Sequence, residues 1–301
     1  MILEVDTTAF RMVPAGGHGT RYLDAGSGPP VVLLHGLSGH IEFWARNVAP
    51  LAKRSRTIVL DLLGRGRTGI PDWTARPPQE QIYTHFVAFL DALGLEKVSL
   101  VGASLGGHTA AQLALRSPER VERLVIVGSG NTVNPPDLLA RTLEDARANA
   151  ESLRDPGPRS VAGQLAALVS DPRAIPAEVV SARQDILSDP ARRLSIAQLA
   201  AELPRWAADP RIEVRSRLHR ISAPTLFVWG REDRRSSWRQ AEQAARTMPD
   251  ARTIVLEGCG HACYIERPQE FNEIVLSFLS AERVGPPGSM REIPLTRGTA
   301  A

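Results

Sequence analysis

Cysteine is nearly absent from this chain: of 301 residues, only Cys259 and Cys263 carry a thiol. Two sulfurs four positions apart, on either side of His261, are too few for a disulfide framework or a structural zinc site, so reduced, packed thiols are expected. No apolar run approaches the roughly 20 residues of a membrane helix. The opening Met1-Ile-Leu-Glu-Val-Asp-Thr-Thr has no basic region followed by an apolar stretch and a small-residue cleavage site, so no secretory signal is visible and a cytoplasmic location is expected. Charge of a single sign is missing as well. The 36 basic and 33 acidic residues leave a net charge of +3, and arginines and acids interleave, as in Arg231-Glu-Asp-Arg-Arg235. No basic stripe carries interleaved aromatics, which argues against a nucleic-acid surface. Neither a cofactor motif nor a metal-ligand cluster is present, and no membrane partner is expected. A small-molecule substrate remains.

The composition, with 43% hydrophobic and 23% charged residues, is that of a soluble globular protein long enough for a sizeable core. Short alternating runs at Phe10–Pro14 and Gly19–Gly26 predict an antiparallel lead-in. Continuous apolar runs follow at Val31–Leu34, Arg56–Asp61, Val98–Val101, Leu124–Val127, Thr225–Trp229 and Arg252–Glu257. Runs of this kind are strands buried on both faces of a mainly parallel sheet. Helical sequence alternates with them over Ile41–Ala52, Glu80–Leu93, the segment ending at Arg116, and Pro268–Leu279, which predicts helices on both faces. Between Asn131 and residue 222 the strand signal disappears. Helical segments at 137–153, 160–169, 176–187 and 190–206 stand in its place. The expected organisation is therefore a core in two parts, 1–130 and 223–282, a helical cap or lid at 131–222, and a mobile tail at 283–301.

The stretch Val98-Ser-Leu-Val-Gly-Ala-Ser-Leu-Gly-Gly-His108 passes from a buried strand through G-x-S-x-G into a helix. A serine on such a sharp turn has its hydroxyl pushed clear of the sheet, and the flanking glycines keep side chains from colliding. Ser104 is the candidate nucleophile; an ordinary glycine-rich turn is the other reading of the motif alone. The remaining strand ends decide between them. Asp233 follows the strand at Thr225, and His261 follows the strand at Arg252, giving the order Ser, Asp, His. Nucleophilic acyl transfer needs an activated hydroxyl, a base and an acid that orients the base. Ser104, His261 and Asp233 fill those roles, with Glu232 the rival for the acid. Backbone N–H groups of Leu37, in the loop after Val31–Leu34, and of Leu105 are the candidate oxyanion donors. Asp61 also ends a strand, but an acid there caps its own loop, and a structural role is favoured. Phe43 and Trp44 face the core or the pocket.

Together these segments resemble the α/β-hydrolase family: His35-Gly36, Asp61-Leu-Leu-Gly-Arg-Gly-Arg-Thr68, Gly102-Ala-Ser-Leu-Gly-Gly107, Trp229-Gly-Arg-Glu-Asp233 and Gly258-Cys-Gly-His261 followed by Glu266-Arg-Pro268. The resemblance runs from about Thr20 to Leu279. It implies the α/β-hydrolase fold, a mostly parallel central sheet flanked by helices with an inserted lid, and the triad. A serine nucleophile points away from the branches that use aspartate, the haloalkane dehalogenases and epoxide hydrolases. The segments 168–173 and 178–183 are similar to the lid of the meta-cleavage-product hydrolases, which cut a carbon–carbon bond in dienoates. There an arginine at the position of Arg183 contacts substrate; a helix-surface arginine is the alternative. Ser38 and Trp44 complete the candidate substrate contacts. Three departures, Ala103 for Asn, the short Leu37-Ser-Gly loop, and Ala262 for Trp, shift the expectation toward a small ester or lactone, a carboxylesterase-like activity. Carbon–carbon hydrolysis is the alternative, and a non-catalytic ligand-binding protein of the same fold the remote one.

Overall fold

The computed structural model describes residues 10–151, 158–207 and 209–281; the stretch 1–9 and the expected tail at 283–301 lie outside the described residues. Eight strands form one sheet: β1 (Phe10–Ala15), β2 (His18–Ala25), β3 (Pro30–Leu34), β4 (Arg56–Leu60), β5 (Val98–Ala103), β6 (Val121–Val127), β7 (Thr225–Gly230) and β8 (Ala251–Leu256). Their spatial order is β1-β2-β4-β3-β5-β6-β7-β8. β1 and β2 enter antiparallel, and every pairing from β4 to β8 is parallel.

The two-residue period of the strands divides the core into two apolar faces. Val32, Leu34, Leu100, Ile126 and Phe227 point to one face; Val31, Leu33, Val101, Val127 and Val228 point to the other. Two helices cover the first face through Ile82, Phe86, Phe89 and Leu113. They are α2 (Pro78–Ala92) and α3 (Leu105–Arg116). The second is covered by α1 (Ala45–Ala52), through Val48 and Leu51, and later by the last helix of the chain. The segment predicted as one helix over Ile41–Ala52 begins instead as a 3₁₀ turn, Ile41–Trp44, because the buried Asp61 carboxylate accepts the Ile41 N–H at 2.8 Å and fixes the chain's direction there.

After β6 the short α4 (Gly130–Val133) leads into α5 (Pro136–Glu151), α6 (Pro158–Ala166), α7 (Ala177–Ser188) and α8 (Pro190–Trp206). These match the four predicted helical segments to within a few residues. Their apolar stripes join both halves of the core, Leu143, Leu199 and Leu203 on one side and Leu165, Leu168 and Val179 on the other. Three helices complete the fold: α9 (Trp238–Ala245), α10 (Cys263–Glu266) and α11 (Pro268–Ser280). The sequence reading passed over α9, whose buried residues are the alanines Ala241, Ala244 and Ala245; small side chains give a weak apolar period. No helix of the described residues is long and apolar enough to cross a membrane. Cys259 and Cys263 are both free and buried, and burial pushes the Cys259 thiol up to about 12.

Four histidines are buried in this core, His35, His40, His85 and His108. Burial lowers His35 to about 3 and His85 and His108 to about 4. Each of these three stays neutral in the folded chain while its unfolded counterpart takes up a proton below about 6.5, so the unfolded state binds more protons in that window. Folding stability is therefore expected to be full above pH 6.5 and to fall as pH drops toward 4, by up to about 1.4 kcal/mol per pH unit for each histidine. Urea unfolding at pH 7 and pH 5 measures this; equal midpoints and slopes at the two values would contradict it.

Candidate active site

Ser104 sits at φ 51° and ψ −116°, the one non-glycine residue with positive φ among the described residues. Such a conformation costs of order 1–3 kcal/mol and persists because its surroundings hold it. The Ser104 N–H donates to Val127 O at 2.8 Å, and its carbonyl accepts from the His108 N–H at 3.1 Å and the Ser129 hydroxyl at 2.6 Å. The glycines of the motif are steric necessities. A β-carbon on Gly102 would lie 2.4 Å from Gly106 O, and one on Gly106 would lie 2.4 Å from Leu34 O. Only bare backbone lets β5, α3 and the end of β3 approach this closely.

The loop after β3 lies over the serine. A β-carbon on Gly36 would meet the Ser104 β-carbon at 3.0 Å, so this glycine sets how near the loop can come. His35 anchors it: Nδ1 lies 2.8 Å from Gly36 O, and Nε2 accepts the Leu62 N–H at 3.1 Å. That pairing fits a neutral ring with its proton on Nδ1. Leu37 lies in no helix or strand, and its N–H has no protein acceptor among the described residues; Leu105 opens α3, so its N–H has no partner within the helix. Both candidate oxyanion donors line the cavity at Ser104. Asp61 braces the same region. Its carboxylate accepts the N–H groups of Ile41 and Arg67, each at 2.8 Å, and Arg21 Nη1 at 3.3 Å, a loop-capping role.

His261 Nδ1 lies 2.9 Å from Asp233 Oδ2. The other oxygen, Oδ1, accepts the Arg235 and Ser236 N–H groups at 2.8 and 3.2 Å, and the Ser236 hydroxyl donates to Oδ2 at 2.9 Å. Burial alone would raise this carboxyl, but the His261 imidazole and the hydrogen bonds outweigh it and hold Asp233 below the usual carboxylate range. Asp233 therefore stays ionised beside the ring. Glu232, the rival acid, makes no hydrogen bond to His261; its Oε2 accepts the Cys259 N–H at 2.9 Å. Ser104 and His261 face one cavity, and no hydrogen bond joins them in this structure; such contacts commonly tighten only when substrate binds.

The cavity measures about 80 Å³ and is lined by Leu37, Ser38, Phe43, Ala103, Ser104 and His261, with Leu143, Gln164, Leu168 and Ile196 contributed by the helical insertion. Ser38 lies where the sequence suggested. Trp44 does not: it stacks on Tyr264 at 4.2 Å between ring centroids, buried in the core, while the 3₁₀ turn presents Phe43 to the cavity. Arg183 is neither a lining residue nor a surface residue. Its buried guanidinium stands behind the lining, with Nη1 donating to Ser38 O and Nη2 to Gln164 Oε1 at 3.1 Å. Burial lowers it to about 10 with no carboxylate to offset the cost. Arg65, also buried, makes no hydrogen bond through its guanidinium, and burial and the Arg183 charge lower it to about 9.

Several residues here escaped the sequence reading. Ser236, three after Asp233, supplies two donors to that carboxylate, its N–H and its hydroxyl. Glu266 ties the histidine loop to the insertion: Oε1 accepts the Ser170 and Asp171 N–H groups at 2.7 and 3.0 Å, and Oε2 the Gly260 N–H at 2.5 Å. The Asp-x-x-Ser spacing was a local signal for the first; the second joins segments about ninety residues apart, and nothing local announces it.

The sequence pattern described as the alpha/beta hydrolase fold matches residues 29–268. The chain belongs to the α/β-hydrolase family. It is 32% identical over 288 residues to a 2-hydroxy-6-oxononadienedioate/2-hydroxy-6-oxononatrienedioate hydrolase of Paraburkholderia xenovorans (strain LB400), covering 93% of this chain and 97% of that one. It is also 32% identical over 280 residues to a 2-hydroxy-6-oxo-6-(2'-aminophenyl)hexa-2,4-dienoic acid hydrolase of Metapseudomonas resinovorans, covering 90% of each. Among solved structures, the meta-cleavage product hydrolase of Pseudomonas fluorescens IP01 superposes with a TM-score of 0.77 at 27% identity, over 89% of this chain and 97% of that one. As a member of this family the protein is a hydrolase, and the remote expectation of a non-catalytic binding protein is withdrawn. These relatives favour the carbon–carbon alternative over the ester reading.

Replacing Ser236 with alanine removes a hydroxyl donor from the buried Asp233 carboxylate, a bond of the charge-assisted kind worth about 1.5–3 kcal/mol. We expect kcat/KM to fall about ten-fold or more on whichever dienoate or ester the wild-type protein hydrolyses. An unchanged kcat/KM would show that Asp233 needs no such support.

Proposed function

We propose that this α/β-hydrolase cleaves a carbon–carbon bond in an acidic 2-hydroxy-6-oxo dienoate, with Ser104 as nucleophile, His261 as base and Asp233 as its orienting acid. The observation that carries this reading is the pair of buried guanidiniums behind the oxyanion loop. Arg183 binds Ser38 and Gln164, which line the cavity, and Arg65 repels it from behind. Among the described residues neither forms an ion pair with a carboxylate. A buried charge without a counter-charge costs several kcal/mol; neither guanidinium lines the cavity, and an anion held at Ser38 and Gln164 would be attracted by their charge across that layer, where a neutral ester would not.

The chemistry follows from the groups at hand. His261 takes the Ser104 proton as the hydroxyl attacks the 6-keto carbon, and Asp233, kept ionised, stabilises the imidazolium that results. The developing oxyanion is received by the N–H groups of Leu37 and Leu105, each donor worth about 2.7–4 kcal/mol in the transition state. Before the bond can break, the 2-hydroxy dienoate takes up a proton at C5 and loses the one on its 2-hydroxyl, becoming the 2-oxo-3-enoate; the electron pair released from the C5–C6 bond is then delocalised through C3–C5 onto the 2-oxo oxygen, which is protonated. His261 returns its proton, and water attacking the acyl-enzyme by the same route frees Ser104. Helices α5–α8, with the 131–222 segment that carries them, act as a lid that keeps bulk water from the acyl-enzyme. The cavity of about 80 Å³ is narrow, so a dienoate enters as these helices part.

Ester hydrolysis is the second reading, favoured by Ala103 and Ala262, two lining methyl groups where the dienoate hydrolases carry polar or aromatic side chains. Steady-state kinetics on a 2-hydroxy-6-oxo dienoate and on a short-chain p-nitrophenyl ester separates the two. We expect Ser104→Ala to remove at least about 10³ of kcat on both. Arg183→Gln should lower kcat/KM for the dienoate by about ten- to a hundred-fold and that for the ester much less. Equal losses on both substrates, or a wild-type preference for the ester, would overturn the carbon–carbon reading.

A further inference from the structure

We infer that a second cavity, beside the N-terminal turns of α5 and apart from the one at Ser104, is a binding site for a neutral amphiphile: an apolar body carrying one hydroxyl or amide N–H donor. The inference stands whether the protein cleaves carbon–carbon or ester bonds.

This cavity measures about 890 Å³, within the range of small-molecule sites, against about 80 Å³ at Ser104. It is walled by α5, the end of α8, the start of α2, His108 of α3 and the segment 212–216. Asn131 and Leu143 are common to both walls, but none of Ser104, Asp233 and His261 lines the larger one. Most of its wall is apolar, with Leu139, Leu143, Ala207, Ile212 and Val214. Three neutral polar side chains interrupt it, Gln79, His108 and Asn134, each exposed by 5% or less. Burial keeps the His108 ring neutral at pH 7, and neither ring nitrogen is hydrogen-bonded; the Asn131 main chain approaches and offsets part of the lowering without hydrogen-bond geometry. Gln79 Oε1 and Asn134 Oδ1 also lack partners among the described residues. The Thr142 hydroxyl donates to Leu138 O at 2.9 Å and so accepts from Asn134 Nδ2 at 3.2 Å, which leaves Oδ1 as the uncommitted end of that amide.

An acceptor buried without a donor is destabilising, and a ligand's O–H or N–H group removes that cost. These oxygens are turned from the cavity surface, so a rotation of either side-chain amide about its broad terminal torsion presents them. Charge does not select the occupant. Arg141, Arg215, Glu144 and Glu213, two of each sign, stand in the wall, and three of them are committed: Glu144 to Arg147, Glu213 to Ser216 and Arg215 to Val133 O. At His108 the charges of Glu213 and Arg217 oppose one another. An anionic head would therefore be buried there with no net counter-charge, whereas a neutral hydroxyl meets acceptors and its apolar body meets the aliphatic wall.

Equilibrium dialysis at pH 7 measures the binding of three probes with one rigid apolar body: 2-naphthol, its methyl ether and the anion 2-naphthoate. 2-Naphthol is expected to bind, and 2-naphthoate about ten-fold more weakly or worse, since its charge is desolvated. The ratio of naphthol to methyl-ether affinity should fall about three- to ten-fold in the double variant Gln79→Leu/Asn134→Leu, the size of one neutral hydrogen bond. Ala140→Trp, on an exposed turn of α5 that lines the cavity, fills it and should abolish naphthol binding while hydrolysis is unchanged. 2-Naphthol should leave unchanged the KM of whichever substrate, dienoate or ester, the protein hydrolyses. A rise in that KM would put the naphthol in the cavity at Ser104 and overturn the assignment. Failure of 2-naphthol to bind, an unchanged affinity ratio, equal binding of 2-naphthoate, or full binding by Ala140→Trp would overturn it as well.

Discussion

Backbone crowding at one corner governs this molecule. Where β5 turns into α3, the β-carbon positions of Gly102 and Gly106 are already occupied by backbone oxygens at 2.4 Å, and Ser104 is held in a conformation that serine seldom adopts. Because Gly106 sits against Leu34 O, the same crowding fixes where the loop after β3 crosses the serine. Gly128 follows β6, where a β-carbon would lie 3.2 Å from His261 Nδ1, and the Ser104 N–H is bonded to the neighbouring Val127. One strand end therefore registers nucleophile and base against each other. Parallel strands with their carboxyl ends on one side bring residues distant in sequence to a single cleft.

Around that corner the site is built from groups kept in definite charge states by burial. His35 is neutral, so it can accept from Leu62 while holding Gly36. Asp233 is ionised because the His261 imidazole and its hydrogen bonds outweigh its burial. Arg183 and Arg65 are the exceptions, two buried cations that no carboxylate pairs among the described residues: Arg183 has the neutral acceptors Ser38 O and Gln164 Oε1, and Arg65 lies over the Trp73 ring at 6.0 Å.

Much of this was legible in the letters. Continuous apolar runs such as Val31–Leu34 and Thr225–Trp229 mark strands without ambiguity, and each of Asp233 and His261 stands a few residues beyond its own run, so their convergence followed from parallel topology alone. What depends on rotation about a helix axis or on distant packing was not legible. Trp44 and Phe43 are adjacent and both aromatic; which one meets the cavity depends on the 3₁₀ turn that Asp61 imposes from another strand. Arg183 reads equally well as a surface or a pocket residue until Ser38 and Gln164 are seen to receive it. Helix α9 buries only alanines and so leaves little periodic trace. The link from Glu266 to Ser170 joins two segments that share no local pattern.

By sequence alone, the departures at Ala103 and Ala262 point toward ester hydrolysis. On the proposed carbon–carbon reading, the cationic layer behind Ser38 takes the place of the side chains missing there. The most direct measurement of the account is rapid-quench mass spectrometry of the protein mixed with a 2-hydroxy-6-oxo dienoate. The account predicts a transient adduct on Ser104 whose mass equals the acyl fragment released from the ketone side of the cleaved bond. An adduct formed from simple esters but never from the dienoate, or one on another residue, would contradict it.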